Sequence, residues 1–293
     1  MLETNALKEY ENSYRLGRSF RKSVASYIER CRLEDGGYCF FRILPSSGAD
    51  TFYAVKSLSL LGMKPEQPER IVDFFFEMRR SHSLDDLTGT WLATEVFSEL
   101  GQLTDDFRNH AEHVLAFENR AGRLDTVENV YIEVPSELEP NCRAARVLKI
   151  IGSTVDKTRF GRQVSKFLNA DGGYGGSQYS TLASTFYATE IVRLLDISAG
   201  KPGETRNFLR AKEESLRENL EKGLVQYIED VFYLIKSLSN LSEKPRFPDL
   251  VTRFVLECQA PWHHGFGRAK FAISTLESTF QALSILKETR VLL

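Results

Sequence analysis

Apolar residues recur along this chain with the spacing of α-helices. Phe52, Val55, Leu58 and Leu61 share one helical face, and the segment from Pro68 to Phe76 alternates polar and apolar faces in the same period. Strand patterns are weak, and the one stretch of strict alternation is 131–134. The chain is therefore predicted to be all-α, built from apolar helices that alternate with amphipathic ones.

A second pattern is a repeat, in which a glycine-aromatic turn precedes a Ser/Thr-aromatic-x-Ala helix start. It occurs three times, as Gly37-Tyr38 with Thr51-Phe52, as Gly173-Tyr174 with Thr185-Phe186, and as Gly265-Phe266 with Thr279-Phe280. The aromatic residue stands 13, 11 and 13 residues before the threonine in these copies. Such recurrence predicts a repetitive architecture in which each copy is one supersecondary unit.

Weaker copies fill the intervals between the strong ones. Taking Thr51, Thr185 and Thr279 as register positions, the weaker copies place further ones at Thr90, Asn141 and Val231, which gives steps of 39 to 51 residues. Each step suits one two-helix unit. Gly62, Gly101 and Gly152 each stand 11 residues after a register position, as glycines that end helices do. A first helix from about Leu7 to Cys31 supplies the remaining outer helix, and six units fill residues 1–293 as one domain.

Charge and composition exclude some classes of function. The chain has 38 Lys and Arg against 40 Asp and Glu, with no basic run, so attraction to nucleic acid is not expected. No apolar run is long enough to span a membrane, and the polar start of the chain lacks the apolar core of a signal peptide. The four cysteines show no CxxC spacing and are expected to be reduced, so the expected location is cytoplasmic.

The repeat resembles that of protein prenyltransferase β subunits, which terpene and squalene cyclases share. The resemblance covers nearly the whole chain and implies an all-α fold, the α/α toroid (α6–α6 barrel) of six helical hairpin repeats. One helix of each pair would line a central cavity. The resemblance further implies that this cavity holds an isoprenoid, an isoprenoid diphosphate or another small molecule. It also implies a helical-repeat partner subunit. Because one fold supports many activities, the site residues must decide between them.

The prenyltransferase chemistry does not carry over intact. In that family an Asp and a Cys at the start of the fifth inner helix and a His from the sixth bind zinc, and the register places Glu229, Val231 and Glu277 at those positions. A zinc site that activates a thiolate is therefore doubtful, no metal ligand is assigned, and the two carboxylates could hold another divalent cation. Of the basic residues that hold the diphosphate in that family, only one has a counterpart in this chain. It is Lys222, and it is out of register.

The cyclase chemistry suggests a second set of roles. Class II cyclases protonate an alkene with an acid that opens an inner helix, and Glu229 with its neighbour Asp230 stands where that acid would be. The alternative is that both carboxylates only stabilise the positive end of the helix dipole. The catalytic candidates are Glu229, Asp230 and Glu277. Three functions stay open: a ligand-binding toroid with altered chemistry, a cyclase-like enzyme using Glu229 as the acid, and a non-catalytic interaction scaffold.

Residues that share the lumen-facing side of the six inner helices fall into layers. The rim layer contains Glu139, Glu229 and Glu277, and the next contains Tyr53, Arg143, Tyr187 and Tyr233. The third contains, in ring order, Lys56, Glu95, Arg146, Glu190 and Lys236. These charges form a salt-bridged belt across the lumen, or they point between helices. The tyrosines predict an aromatic pocket above them, whereas the charges suit a polar or cationic ligand. The ligand-binding candidates are Tyr53, Glu139, Arg143, Arg146, Tyr187, Tyr233 and Lys236.

Overall fold

A computed structural model describes residues 16–41, 43–120, 136–176 and 179–292. These residues form twelve helices and one two-stranded antiparallel ribbon. In chain order the helices are α1 Arg18–Arg30, α2 Gly48–Leu60, α3 Pro68–Arg80, α4 Leu87–Leu100, α5 Asp105–Arg120, α6 Glu139–Ile151, α7 Lys157–Lys166, α8 Leu182–Leu195, α9 Pro202–Glu221, α10 Ile228–Asn240, α11 Pro248–Glu257 and α12 Leu276–Glu288. The ribbon pairs β1, Phe266–Gly267, with β2, Ser274–Thr275.

The even-numbered helices form a closed inner ring. Each packs against the next, and α12 packs against α2, while the odd-numbered helices pack outside. Contacts between neighbouring inner helices show that these helices run parallel. Tyr53 near the start of α2 contacts Glu277 near the start of α12, and Lys236 of α10 contacts Glu288 further along α12. The predicted all-α toroid of six helical hairpins is confirmed.

Each register position lies at the third or fourth residue of an inner helix, and a hydrogen-bond pattern explains the repeat. The hydroxyls of Thr51, Thr185 and Thr279 accept hydrogen bonds from the backbone N–H groups of Tyr38, Tyr174 and Phe266, at 3.0, 3.1 and 3.1 Å. Each hydroxyl also donates to the carbonyl of the residue four positions earlier, at 2.7 Å. The threonine thus connects the turn to the helix start, which accounts for the spacing between the glycine-aromatic pair and the threonine.

Two kinds of glycine support this arrangement. Gly101 and Gly152 end α4 and α6 in the left-handed conformation, with φ of 69° and 78°, as their positions in the repeat predict. Gly172, in the turn before α8, has φ of 85°, and a Cβ atom there would overlap the backbone carbonyl of Glu204 at the start of α9. This close approach lets the turn pack directly against the outer helix.

The structure also differs from expectation in places. The first described helix begins at Arg18, after Gly17, which is extended with φ of −71° and ψ of 179°. The predicted start near Leu7 lies outside the described residues. The alternating stretch 131–134 also lies outside them. Within the described part of the chain, no helix combines the length and the hydropathy needed to cross a membrane.

Candidate functional site: the lumen of the toroid

Five aromatic rings form a collar in the upper part of the inner ring, near the first residues of the inner helices. It consists of the residues that directly follow the register positions on five inner helices: Phe52, Trp91, Phe186, Phe232 and Phe280. Their ring centroids are 4.8 Å apart for Phe52 and Trp91, and 6.1 Å for Phe52 and Phe280. The centroids of Phe232 and Phe280 are 5.9 Å apart, and those of Phe186 and Phe232 are 5.5 Å apart. On α6 the corresponding residue is the buried Cys142.

Three tyrosines extend the collar into the lumen. Tyr53, Tyr187 and Tyr233 are only partly buried, although burial, followed by neighbouring acidic and tyrosine side chains, raises the pKa of Tyr53 and of Tyr187 well above the usual value. Burial likewise raises the pKa of Tyr233 to about 12. These tyrosines lie on α2, α8 and α10, and each keeps part of its surface accessible.

Glu277 lies near the start of α12, next to Tyr53 of α2. Its carboxylate accepts hydrogen bonds from the hydroxyl of Tyr53 at 3.0 Å and from the amide of Gln281 at 3.4 Å. Burial raises the pKa of Glu277, the negative charges of Glu229, Asp50 and Glu139 contribute in the same direction, and the bond from Tyr53 partly opposes them. The rim is thus rich in carboxyl groups.

The two acids that open α10 have different surroundings. Glu229 accepts a hydrogen bond from Arg268, whose guanidinium also lies 4.3 Å from the ring centroid of Tyr227. Asp230 is exposed at the residue level, but its carboxyl faces protein on one side. Burial, followed by the charge of Glu229, raises the pKa of Asp230, and Arg268 opposes this shift. The structure places Glu229 and Glu277 on adjacent inner helices, as the register predicts.

Arg143 forms a polar bridge on the other side of the rim. It donates hydrogen bonds to Glu139 and to the hydroxyl of Thr88, each at 2.6 Å, and its guanidinium lies 4.8 Å from the ring centroid of Trp91. Glu139 is 7% exposed, so this ion pair is substantially desolvated. The Arg143 charge is therefore already engaged by a carboxylate and an aromatic face.

Below the tyrosines, four charged residues form an ionic arc over four inner helices: Lys56, Glu95, Arg146 and Glu190. Lys56 contacts Glu95 at 3.3 Å, Arg146 contacts Glu95, and Arg146 contacts Glu190 at 2.8 Å. Burial alone would raise the pKa of Glu95, but Arg146 and Lys56 hold it below its usual value. Carboxylates this buried are stable only when cations and hydrogen bonds compensate their lost hydration.

The predicted belt of five charges is incomplete. Lys236 pairs instead with Glu288, one layer lower on α12, at 2.6 Å, and the hydroxyl of Ser239 donates to the same carboxylate at 2.9 Å. Between α8 and α10 the link is a hydrogen bond of 2.9 Å from Arg193 to Asn240. The charges connect neighbouring helices along the lumen wall, so their pairing follows the ring.

The residues that would hold zinc or a diphosphate do not form such a site. Val231 is 1% exposed and has no ligand atom, and the described residues contain no group of three or more His, Cys, Asp or Glu side chains placed to hold a metal ion. Lys222 is exposed at the end of the outer helix α9, where it contacts Glu218 at 3.4 Å. The donor set present does not fit the zinc of the prenyltransferases.

Sequence patterns alone missed two rim residues. Arg268 lies in the turn before β2, outside the inner helices, and no repeat position points to it; its partner Glu229 shows its role. Asp50 directly precedes the register position of α2, so its place in the repeat could have indicated that it lies at the rim, where it influences Glu277. The aromatic collar also follows from the repeat, as the residue after each register position.

Comparisons with known proteins agree with this architecture. The family described as the prenyltransferase alpha-alpha toroid domain matches residues 5–101, 141–216 and 201–290. Among solved structures, the chain is similar to Candida albicans protein geranylgeranyltransferase-I complexed with GGPP, with a TM-score of 0.65 and 14% sequence identity, over 92% of this chain and 90% of that one. A search of curated proteins found no match. The chain belongs to the prenyltransferase alpha-alpha toroid family.

Proposed function

We propose that this protein binds a small isoprenoid in the upper lumen of its toroid. The observation that carries the proposal is the aromatic collar, together with the three accessible tyrosines Tyr53, Tyr187 and Tyr233. Aromatic walls offer a large apolar contact area and little rotational freedom to lose on binding. The solved relative is a complex with GGPP, which supports an isoprenoid as the ligand class.

The rim favours an isoprenoid without a diphosphate. Carboxyl groups of Asp50, Glu139, Glu229, Asp230 and Glu277 lie at this end of the lumen, and the cations Arg143 and Arg268 are already paired with Glu139 and Glu229. A diphosphate would have to break these pairs and approach carboxylates of the same charge. An alcohol or a cationic head group would instead find hydrogen-bond acceptors and negative charge.

Direct binding measurements test this proposal. Geraniol is expected to bind, and geranyl diphosphate is expected to bind at least about tenfold more weakly, which corresponds to about 1.4 kcal/mol. Tyr187→Ala should weaken geraniol binding by a similar factor, because it removes part of the aromatic wall. The control is Tyr179→Ala, which removes a tyrosine that is 79% exposed in the turn before α8. Failure of both compounds to bind contradicts the proposal, and equal binding of both contradicts the proposed head group.

A second function, acid catalysis of the cyclase type, is favoured by one observation. Glu277 contacts Tyr53, and burial and neighbouring charges raise its pKa, so it retains a proton more readily than an ordinary carboxyl. Its carboxyl proton would pass to an alkene carbon, leaving a carboxylate and a carbocation next to aromatic faces, and a later proton loss would end the reaction. Glu229, the other candidate acid, is engaged by Arg268.

Product analysis with a polyprenyl alcohol distinguishes these acids. Glu277→Gln is expected to abolish turnover, since it cannot donate the proton, whereas Glu229→Gln is expected to retain most of it. The opposite result would assign the acid to Glu229, and no product from the unmodified protein would reject catalysis while leaving the binding proposal to its own test.

A further inference from the structure

The predicted lumen side of α2, α8 and α10 changes from aromatic to charged along each helix. Two residues below the register position, where Tyr53, Tyr187 and Tyr233 stand, the wall is aromatic on three helices. Three residues further along the helices it becomes ionic, with Lys56, Glu95, Arg146 and Glu190 in contact on α2, α4, α6 and α8. An apolar ligand and a charged wall therefore meet at a defined level.

The ionic arc is paired but not fully buried. The side chains of Glu95 and Glu190 are only 4% and 3% exposed, whereas those of Lys56 and Arg146 keep 21% and 29% of their surface accessible. The two cations therefore keep part of their hydration. An alkyl chain laid against them would remove that hydration without supplying a hydrogen bond, which is unfavourable.

The position of the arc determines the depth available to an apolar chain. Seven residues separate the rim from the arc on each helix, as between Glu139 and Arg146 on α6. At 1.5 Å per residue this is about 10 Å, or about the length of two extended isoprene units. A chain of four isoprene units, such as that of GGPP, exceeds this depth.

We propose that the ionic arc is the floor of the lumen site and limits its ligands to short isoprenoids of about two units. This inference rests on the proposed function, because it names the substrate class of the same site. Arg146 is the central specificity-determining residue, since it joins the two carboxylates of the arc, Glu95 and Glu190.

The unmodified protein provides the first test, with geraniol, farnesol and geranylgeraniol as probes in calorimetric titrations. In a deep apolar tunnel each added isoprene unit would strengthen binding, because burying more apolar surface is favourable. With a floor, farnesol and geranylgeraniol should bind no more tightly than geraniol. A steady increase in affinity with chain length would overturn the inference, and binding of none of the three would overturn both it and the proposed function.

Removing three of the four charges of the floor provides the second test. The triple variant Glu95→Gln, Arg146→Met and Glu190→Gln leaves no unpaired carboxylate at these positions, and Lys56 keeps Glu99 as its partner. It should increase geranylgeraniol affinity at least about tenfold, or about 1.4 kcal/mol, and change geraniol affinity by less than about twofold. The matched control, Arg210→Met with Glu213→Gln, removes a buried ion pair of 2.7 Å on the outer helix α9. An unchanged chain-length preference in a folded triple variant would overturn the inference; if that variant does not fold, the titrations of the unmodified protein decide.

Discussion

Glu95 and Glu277 are both glutamates on inner helices, and their surroundings move their pKa values in opposite directions. Glu95 is deeply buried, but Arg146 and Lys56 hold its pKa below the usual range. At Glu277 burial raises the pKa, and Glu229, Asp50 and Glu139 add to the shift. The repeat register predicted that both residues face the lumen. Their different charge environments depend on side chains from other helices.

This difference predicts opposite effects of pH on stability. Because the pKa of Glu277 is higher in the folded protein than in the unfolded chain, its ionisation destabilises the fold as pH rises above the ordinary carboxyl range. Glu277→Gln should therefore raise the free energy of unfolding at neutral pH, with the gain shrinking towards about pH 4. Glu95 contributes stability above its unfolded pKa and loses it as pH falls.

Urea unfolding of both variants at the two pH values measures these effects. Glu95→Gln should lower stability at neutral pH, since Arg146 and Lys56 lose a charged partner. Glu34→Gln, at an exposed position in the turn after α1, controls for charge removal and should leave stability nearly unchanged. A Glu277→Gln variant that is less stable than the unmodified protein at neutral pH would contradict the interpretation of the rim.

At the scale of the helices, the structure shows why the repeat uses a few residue types at fixed positions. The threonine at the register position joins the turn to the inner helix, as Thr185 does for Tyr174. The glycine of the turn allows close contact with the following outer helix, as Gly172 does with Glu204. Both roles are local, so they were visible as a repeat. Asn141 and Val231 interrupt the threonine pattern, and the helices α6 and α10 still form because their apolar faces are buried.

Two glycine substitutions test this local role of the turn. Gly172→Ala should destabilise the protein by at least about 1 kcal/mol, because alanine is strained at positive φ and its Cβ would overlap the Glu204 carbonyl. Gly161→Ala, inside α7 with no atom within 4 Å of the added Cβ, should stabilise it by about 0.5–1 kcal/mol. Denaturant titration measures both changes, and equal effects of the two substitutions would refute the proposed role of Gly172.

At the scale of the whole molecule, the ring closes through contacts between its first and last units. The backbone N–H of Leu16 donates to the carbonyl of Val291 at 3.3 Å, and Arg30 of α1 donates to the carbonyl of His263 at 3.1 Å. In the inner ring, Tyr53 and Glu277 make the corresponding contact between α2 and α12. Both ends of the described chain therefore lie at the same seam.

This closure predicts that the chain tolerates a circular permutation. A short glycine-serine linker from residue 293 to residue 1, with new ends between Gly101 and Gln102, keeps every helix intact and opens an exposed turn. The permutant should show the helical circular dichroism of the original chain and a cooperative thermal transition. As a control, new ends inside α12, between Ala282 and Leu283, interrupt two buried positions and should prevent folding. A first permutant that does not fold would contradict the closed ring.

The six helical hairpins and the positions of their inner helices follow from the sequence, because they depend on local periodicity and turn chemistry. The pairing of charges inside the ring depends on the tertiary structure. The repeat register alone allows Lys236 to pair with either Glu190 or Glu288. In the structure Lys236 pairs with Glu288. Arg268 reaches the rim from the turn between β1 and β2, outside the inner helices. Such choices depend on side-chain reach and on desolvation between helices far apart in sequence, which a pattern along the chain does not contain.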